Sequence, residues 1–347
     1  MTDHIDKTLK VNPEFFPLTE VATRFVNQLA HCRKLGLTVQ EASEHHVLLE
    51  LPYSQDIVGY PDTGVIHGGV ITTIIDTACG TAVVCAILDK FKSLEISPTL
   101  DLRVDYMRPA EPNKAVYAFV ECYRLTSSVA FTRAIAYQDS IDEPIAHAVG
   151  SFMRISPEMI GEEFRQALMG DAEPLFSPEG ADELMSANEN TAAELIQQDG
   201  QFDPLNVQDV VKRAIELNDY SYLLEKVPYS QFIGMSVERF GDEMVFKLPT
   251  KGSNIGNPIL PAIHGGVIAG FMEMSAIVQL MVFMQAKKVP KIIDFSIDYL
   301  RAGLHQDTFA ECKITRQGRR VANVSINCWQ SNRKQLIATA RAHFLLE

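Results

Sequence analysis

The 347-residue sequence predicts an α+β fold made twice in one polypeptide. Two alignments of the chain with itself carry this. GVIHGGVITTIIDTACG, from Gly64, stands against PAIHGGVIAGFMEMSAI, from Pro261; DLRVDYMRPA, from Asp101, stands against DFSIDYLRAG, from Asp294. In both copies a long apolar segment follows the paired glycines, and a series of alternating runs follows that segment. Repetition of this kind marks one structural unit used twice, and the layout in each unit is a long central helix wrapped by an antiparallel β-sheet.

The elements follow in order. FPLTEVATRFVNQLAHCRKLG has helical spacing, with Thr19 as N-cap and Gly36 as the stop, and DPLNVQDVVKRAIELNDYSYLLEKV repeats the design with Asn206 as N-cap. A strand pair comes next in each copy, in GLTVQEASEHHVLLELP and GMSVERFGDEMVFKLP. The segments from Val70 and Val267 are apolar on nearly every face, which predicts a helix enclosed by other structure. After them, TLDLRVDYMR, AVYAFVECYRL, VAFTRAIAYQD and IAHAVGSFMRI predict strands, answered by KIIDFSIDYLR, TFAECKITRQ, RRVANVSINCWQ and LIATARAHFLLE. The domain reading is a first unit over 1–157, an acidic linker over 158–204 and a second unit over 205–347.

Net charge is −13, and most of it is local. Between Ser156 and Pro204 twelve acids stand against Arg165 alone, so eleven of the thirteen net charges belong to the connector and the repeats are close to neutral. That distribution predicts a solvated interdomain segment, part of it helical, since Phe164, Leu168, Leu184, Leu195 and Ile196 punctuate it. No basic concentration predicts nucleic-acid binding. The first sixteen residues lack an apolar signal core, and no run reaches the roughly 18 apolar residues that span a bilayer, so a cytoplasmic protein is expected. Six cysteines, Cys32, Cys79, Cys85, Cys122, Cys312 and Cys328, have no metal-like spacing and read as reduced core thiols.

The residues that carry chemistry are His67, Gly68 and Gly69 with Asp76, and His264, Gly265 and Gly266 with Glu273. Nine residues of α-helix are about 900° of rotation, half a turn out of phase, and about 13.5 Å of rise. His67 therefore cannot share a site with Asp76, nor His264 with Glu273. If these groups cooperate, Asp76 meets the HGG turn of the second copy and Glu273 that of the first, in an internal pseudo-dimer.

An HGG turn opening a long apolar helix, an acid at the ninth position and a following D-Y-[LM]-R strand together resemble the hotdog thioesterases of the PaaI type, over roughly 35 to 155 and 233 to 347. The resemblance implies a double hotdog fold and an acyl-CoA thioesterase that releases free acid and CoA, with CoA as part of the substrate, no other cofactor and no metal. It further implies that the glycines offer a backbone N–H to the thioester carbonyl at a helix N-terminus, and that the acids act as general base or nucleophile. An amide that relatives place before the His is represented only by Asn257, and a hydroxyl before the following strand by Thr99, where the second copy has Ile292. Asn257 makes Asp76 with His264 the stronger expected site. Arg316, Arg319 and Arg320, in the turn RQGRRVAN, are candidates for the CoA phosphates. The implied partners are acyl-CoA and, beyond the internal pseudo-dimer, further copies of the chain. The rival readings are a hydroxyacyl-thioester dehydratase and a non-catalytic acyl-CoA binding or sensing protein. Two acids placed at the thioester argue against the latter, because an apolar acyl pocket gains nothing from them.

Overall fold

The computed structural model describes residues 17–155, 160–170, 206–240 and 243–346. In the first copy α1 (Leu18–Gln28) and α2 (Ala30–Leu35) precede β1 (Thr38–Ala42) and β2 (His46–Leu51). A short hairpin, β3 (Val58–Tyr60) and β4 (Val65–Ile66), feeds the central helix α3 (Gly68–Phe91). Then come β5 (Thr99–Tyr106), β6 (Val116–Leu125), β7 (Val129–Tyr137), β8 (Ala146–Met153) and α4 (Glu162–Met169). The second copy has α5 (Val207–Leu217), α6 (Ser221–Glu225), α7 (Pro228–Ile233), β9 (Ser236–Phe240), β10 (Glu243–Leu248), β11 (Ile255–Asn257) and β12 (Ala262–Ile263). The central helix α8 (Gly265–Met284) and β13 (Lys291–Tyr299), β14 (Thr308–Gln317), β15 (Val321–Trp329) and β16 (Leu336–Leu345) complete it.

The two copies share one sheet of twelve strands, ordered β1-β2-β6-β7-β8-β5-β13-β16-β15-β14-β10-β9. They meet where β5 pairs with β13, antiparallel, with Asp101 opposite Asp298, Arg103 opposite Ser296 and Asp105 opposite Asp294. The register is self-complementary, as in a two-fold dimer interface. Opposed acids on a sheet repel; here Arg103 binds Asp105 at 2.7 Å, His343 binds Asp294 at 2.9 Å and Ser151 bonds Asp101.

The enclosed-helix expectation holds: α3 is buried almost without interruption from Gly69 to Leu88, and α8 from Gly266 to Met281. Their composition has a consequence that counting apolar runs misses. Both are long and apolar enough by length and composition to cross a membrane, yet 94% and 78% of the relevant windows lie inside the protein, which makes them core helices. Side chains such as Ile74, Ile75, Val83, Phe271 and Leu280 are fully withdrawn from water, each worth roughly 1.5–3 kcal/mol of transfer.

The leading helices depart from expectation in detail. Thr19 lies inside α1, whose N-cap is Pro17; its hydroxyl instead donates to the Ala42 carbonyl and accepts from the Ala42 N–H, tying the helix to β1. The single expected helix breaks at Leu29, which is extended, and α2 ends at Gly36 with φ +70°. Asn206 caps α5 as expected, its side chain accepting from Asp209 N–H. Of the acidic connector, α4 is described: Phe164, Ala167 and Leu168 are buried, and Arg24 donates to the Leu168 carbonyl. Residues 158–159 and 171–204 of the connector, and the first sixteen residues, lie outside the described residues.

Candidate active site

The central helices lie side by side and antiparallel, N-terminal halves overlapping. A Cβ on Gly266 would stand 2.5 Å from Thr73 Cα, and one on Gly69 would collide with Gly270 Cα. This crossing brings each acid to the other helix's first turn, as the half-turn phase demands. Asp76 Oδ2 lies 3.6 Å from His264 Nδ1, and Glu273 Oε1 lies 3.8 Å from His67 Nδ1.

The two glycines of each turn do different work. The second permits the close helix crossing. The first makes room for the acid: a Cβ on Gly265 would stand 2.8 Å from Asp76 Oδ2, and one on Gly68 would collide with Glu273 Oε1. Gly68 and Gly265 are also the first helical residues, so their N–H groups lack an intrahelical acceptor and point from a positively polarised helix end. Each acid is thus seated against the first turn of the opposite helix.

Both histidines are N-caps. His67 Nδ1 accepts from Gly69 N–H at 2.9 Å, and His264 Nδ1 accepts from Gly266 N–H at 2.9 Å. That assigns the ring proton to Nε2, which in His264 meets Thr77 Oγ1 at 3.1 Å. Burial holds both rings neutral, pulling His67 down to about 3 and His264 below its usual range despite the opposing pull of Asp76. The leading helices supply a ring against each cap across the copies: Tyr229 of α7 stacks on His67 at 4.5 Å, and His31 of α2 lies 5.9 Å from His264.

The acids differ in their support. Thr99 donates to Asp76 Oδ1 at 2.8 Å. Burial raises the Asp76 carboxyl above the usual carboxylate range, while His264, the Thr99 hydroxyl and Gly266 N–H pull it down. Glu273, with Ile292 in the place of Thr99, has the Tyr106 hydroxyl 3.1 Å from Oε2, and its Oε1 is buried without a hydrogen-bond partner among the described residues. Burial pushes it up to about 8.

Tyr106 and its counterpart Tyr299 went unassigned in the sequence, although both repeat in the D-Y-[LM]-R strand. The Tyr106 hydroxyl also lies 3.0 Å from the Gly68 carbonyl, and Tyr299 donates to the Gly265 carbonyl at 2.7 Å. Asn257 pairs with Ala262 on the hairpin that leads into the second HGG turn, and its side-chain oxygen accepts from Ile259 N–H at 3.0 Å and Leu260 N–H at 3.3 Å, organising its own loop.

A cavity of about 540 Å³ opens beside the Glu273 site, lined by Gly68, Ile71, Tyr106, Ile145 and Ile292, with Arg108, Lys287, Lys288 and Lys291 on its walls. Arg316, Arg319 and Arg320 are exposed at the β14–β15 turn and are not among the lining residues. The lysines were legible as KKVPK directly after α8, but nothing in the linear sequence shows that this loop borders the opposite copy's HGG turn. All six cysteines are free, and burial raises the Cys32, Cys79 and Cys85 thiols to about 12, which leaves them unreactive.

Comparison with known proteins agrees with this architecture. The family model described as the thioesterase superfamily matches residues 63–145 and again 260–337. A protein of Halobacterium salinarum named as an esterase is 37% identical over 118 residues, covering 33% of this chain and 77% of that protein. The medium/long-chain acyl-CoA thioesterase YigI of Salmonella typhimurium is 29% identical over 103 residues, 27% of this chain and 66% of that enzyme. A solved structure from Novosphingobium aromaticivorans, described as a thioesterase, covers 89% of this chain and 98% of its own with a TM-score of 0.54 and 14% identity, which shows a shared fold. The chain belongs to the thioesterase superfamily, as a double hotdog thioester hydrolase carrying the family's domain twice.

Proposed function

We propose that the chain hydrolyses acyl-CoA thioesters at two sites, each built from both copies. The observation that carries this is the carboxyl of each central helix seated against the first glycine of the opposite helix's N-terminal turn. A thioester carbonyl oxygen placed at Gly68 N–H meets a preorganised donor and the positive end of α3, which stabilise the oxyanion of the tetrahedral intermediate. Ionised Glu273 then removes a proton from water as the water attacks, and collapse expels the CoA thiolate, which takes up a proton. Alternatively Glu273 attacks the carbonyl itself, expelling the thiolate to leave a mixed anhydride that water then hydrolyses to the free acid and the regenerated carboxylate. Asp76 with Gly265 N–H plays the same part in the other site. His67 and His264 hold the glycine turns in place. Their Nδ1 atoms are engaged by backbone N–H groups, which argues against proton abstraction by histidine, the requirement of the dehydratase reading.

The CoA moiety is assigned here to the lysine-bordered cavity, because phosphates favour convergent cationic side chains, and the name of the YigI relative agrees with such a substrate. The test is hydrolysis of acyl-CoAs followed by released thiol. Asp76→Asn and Glu273→Gln should each leave part of the activity and the double variant almost none. A double variant retaining full activity would sink the assignment.

A further inference from the structure

Tyr106 ends β5 as Thr99 begins it, and the two hydroxyls serve different acids. Thr99 reaches Asp76, the acid of its own copy, at 2.8 Å, and Tyr106 reaches Glu273, the acid of the opposite copy, at 3.1 Å. One strand of the first copy thus supplies a hydroxyl to both carboxyls. In the second copy β13 has Ile292 in the place of Thr99, and Tyr299 donates to the Gly265 carbonyl. The Tyr106 phenol has one proton and two acceptors within reach, Glu273 Oε2 and the Gly68 carbonyl at 3.0 Å. Thr72 Oγ1, at 2.8 Å, is placed to donate to the phenol oxygen. The Tyr106 proton therefore serves the carboxylate when Glu273 is ionised, and turns to the Gly68 carbonyl when Glu273 carries a proton of its own. Around the acid also stand His67, with Nδ1 at 3.8 Å, and Tyr60 and Tyr229, whose phenols burial and the nearby Glu273 keep protonated. The charged groups Asp62, Arg108, Lys287, Lys288 and Lys291 line the adjoining cavity.

We propose that Tyr106 is the positioning residue of the Glu273 site: its hydroxyl holds the carboxylate against the Gly68 turn, the duty Thr99 performs for Asp76, whereas Tyr299 serves only its own turn. The inference rests on the thioesterase reading above. Glu273 has one methylene more than Asp76, and its carboxyl meets the far end of β5 instead of the near one. A hydrogen bond donated to a carboxylate favours the ionised form, so Tyr106 opposes the burial that raises Glu273. Because Tyr106 acts through the acid, its loss falls on turnover and pH dependence and spares substrate affinity.

The experiment follows thiol release by the full chain in the Asp76→Asn background, which leaves turnover to the Glu273 site, using linear acyl-CoAs from butanoyl to palmitoyl. Tyr106→Phe should lower kcat about tenfold at neutral pH, leave KM nearly unchanged and shift the rising limb of the pH–rate profile to higher pH. Replacing Tyr106 by 3-fluorotyrosine, whose more acidic hydroxyl is the stronger donor, should shift the limb to lower pH. Thermal unfolding checks the fold, and the fluorinated variant decides alone if the phenylalanine variant does not fold. Tyr299→Phe in the Glu273→Gln background should leave the Asp76 limb in place. A limb unmoved by either change at Tyr106, or a raised KM with kcat retained, would overturn the positioning role while leaving the thioesterase reading intact. An Asp76 limb that moves with Tyr299→Phe would overturn the division between the two tyrosines. A background variant inert on every ester, with wild type active, overturns the proposal because the Glu273 site does not turn over. A wild type inert on every ester overturns the thioesterase reading and the positioning role with it.

Discussion

Thr99 donates its hydroxyl proton to Asp76 Oδ1 at 2.8 Å, whereas Glu273, whose matching strand position is Ile292, has the Tyr106 hydroxyl 3.1 Å from Oε2 instead. A bond to the ionised form favours ionisation. Thr99→Val should therefore raise the Asp76 carboxyl further, and in the Glu273→Gln background the rising limb of the pH–rate profile should move to higher pH. Ile292→Thr in the Asp76→Asn background should move the Glu273 limb down from about 8. Profiles that stay in place would show that these hydroxyls do not govern the acids.

Glu273 also makes stability depend on pH. Its folded value, about 8, lies above the ordinary 4.5, so the folded state holds a proton that the unfolded state releases. The stability this confers is complete below about 4.5 and is lost progressively as pH rises to about 8. The full shift sets an upper bound of about 5 kcal/mol. Glu273→Gln should flatten that decline, measurable as the unfolding midpoint in denaturant between pH 5 and 8. Parallel curves for the variant and wild type would refute it.

The two glycines of one turn should fail differently. In Gly68→Ala the methyl meets a movable carboxyl, so the Glu273 site should lose activity while the melting temperature changes little. In Gly69→Ala it meets the Gly270 backbone, so the central helices must separate, at a cost of roughly 1–3 kcal/mol or more. Calorimetry paired with thiol-release kinetics separates the two outcomes.

Replacing Lys287, Lys288 and Lys291 together by Ala should raise KM for CoA esters, leave kcat largely intact and spare a short thioester lacking the nucleotide. Arg319→Ala with Arg320→Ala should have the smaller effect, since those side chains stand on an exposed turn outside the cavity lining. The reverse order would return the phosphates to the arginine turn.

The pairing of Asp76 with His264 and of Glu273 with His67 was legible before any coordinates, because helix phase is fixed by residue count. Thr99 was legible too, through the family resemblance, which implies a hydroxyl before that strand. The role of the histidines as caps was not, since a cap is defined by a ring nitrogen's distance to a backbone N–H two residues on. Tyr106 escaped for a related reason: its hydroxyl reaches Glu273 across 167 residues of sequence. For Asn257 the residue type was legible but the loop geometry was not: its side-chain oxygen belongs to the turn it starts. The open space beside Glu273 is bordered by the Lys287–Lys291 loop, whose path no local pattern announces.

The pairing of β5 with β13 has a genetic consequence. A dimer of identical subunits carries identical sites, and one codon change alters both. In this chain the partners across the seam are encoded separately, so threonine stands beside one acid and isoleucine beside the other, and histidine and tyrosine face the two caps. Each half of the gene can drift under its own selection while remaining bound, in fixed one-to-one proportion, to the half it completes.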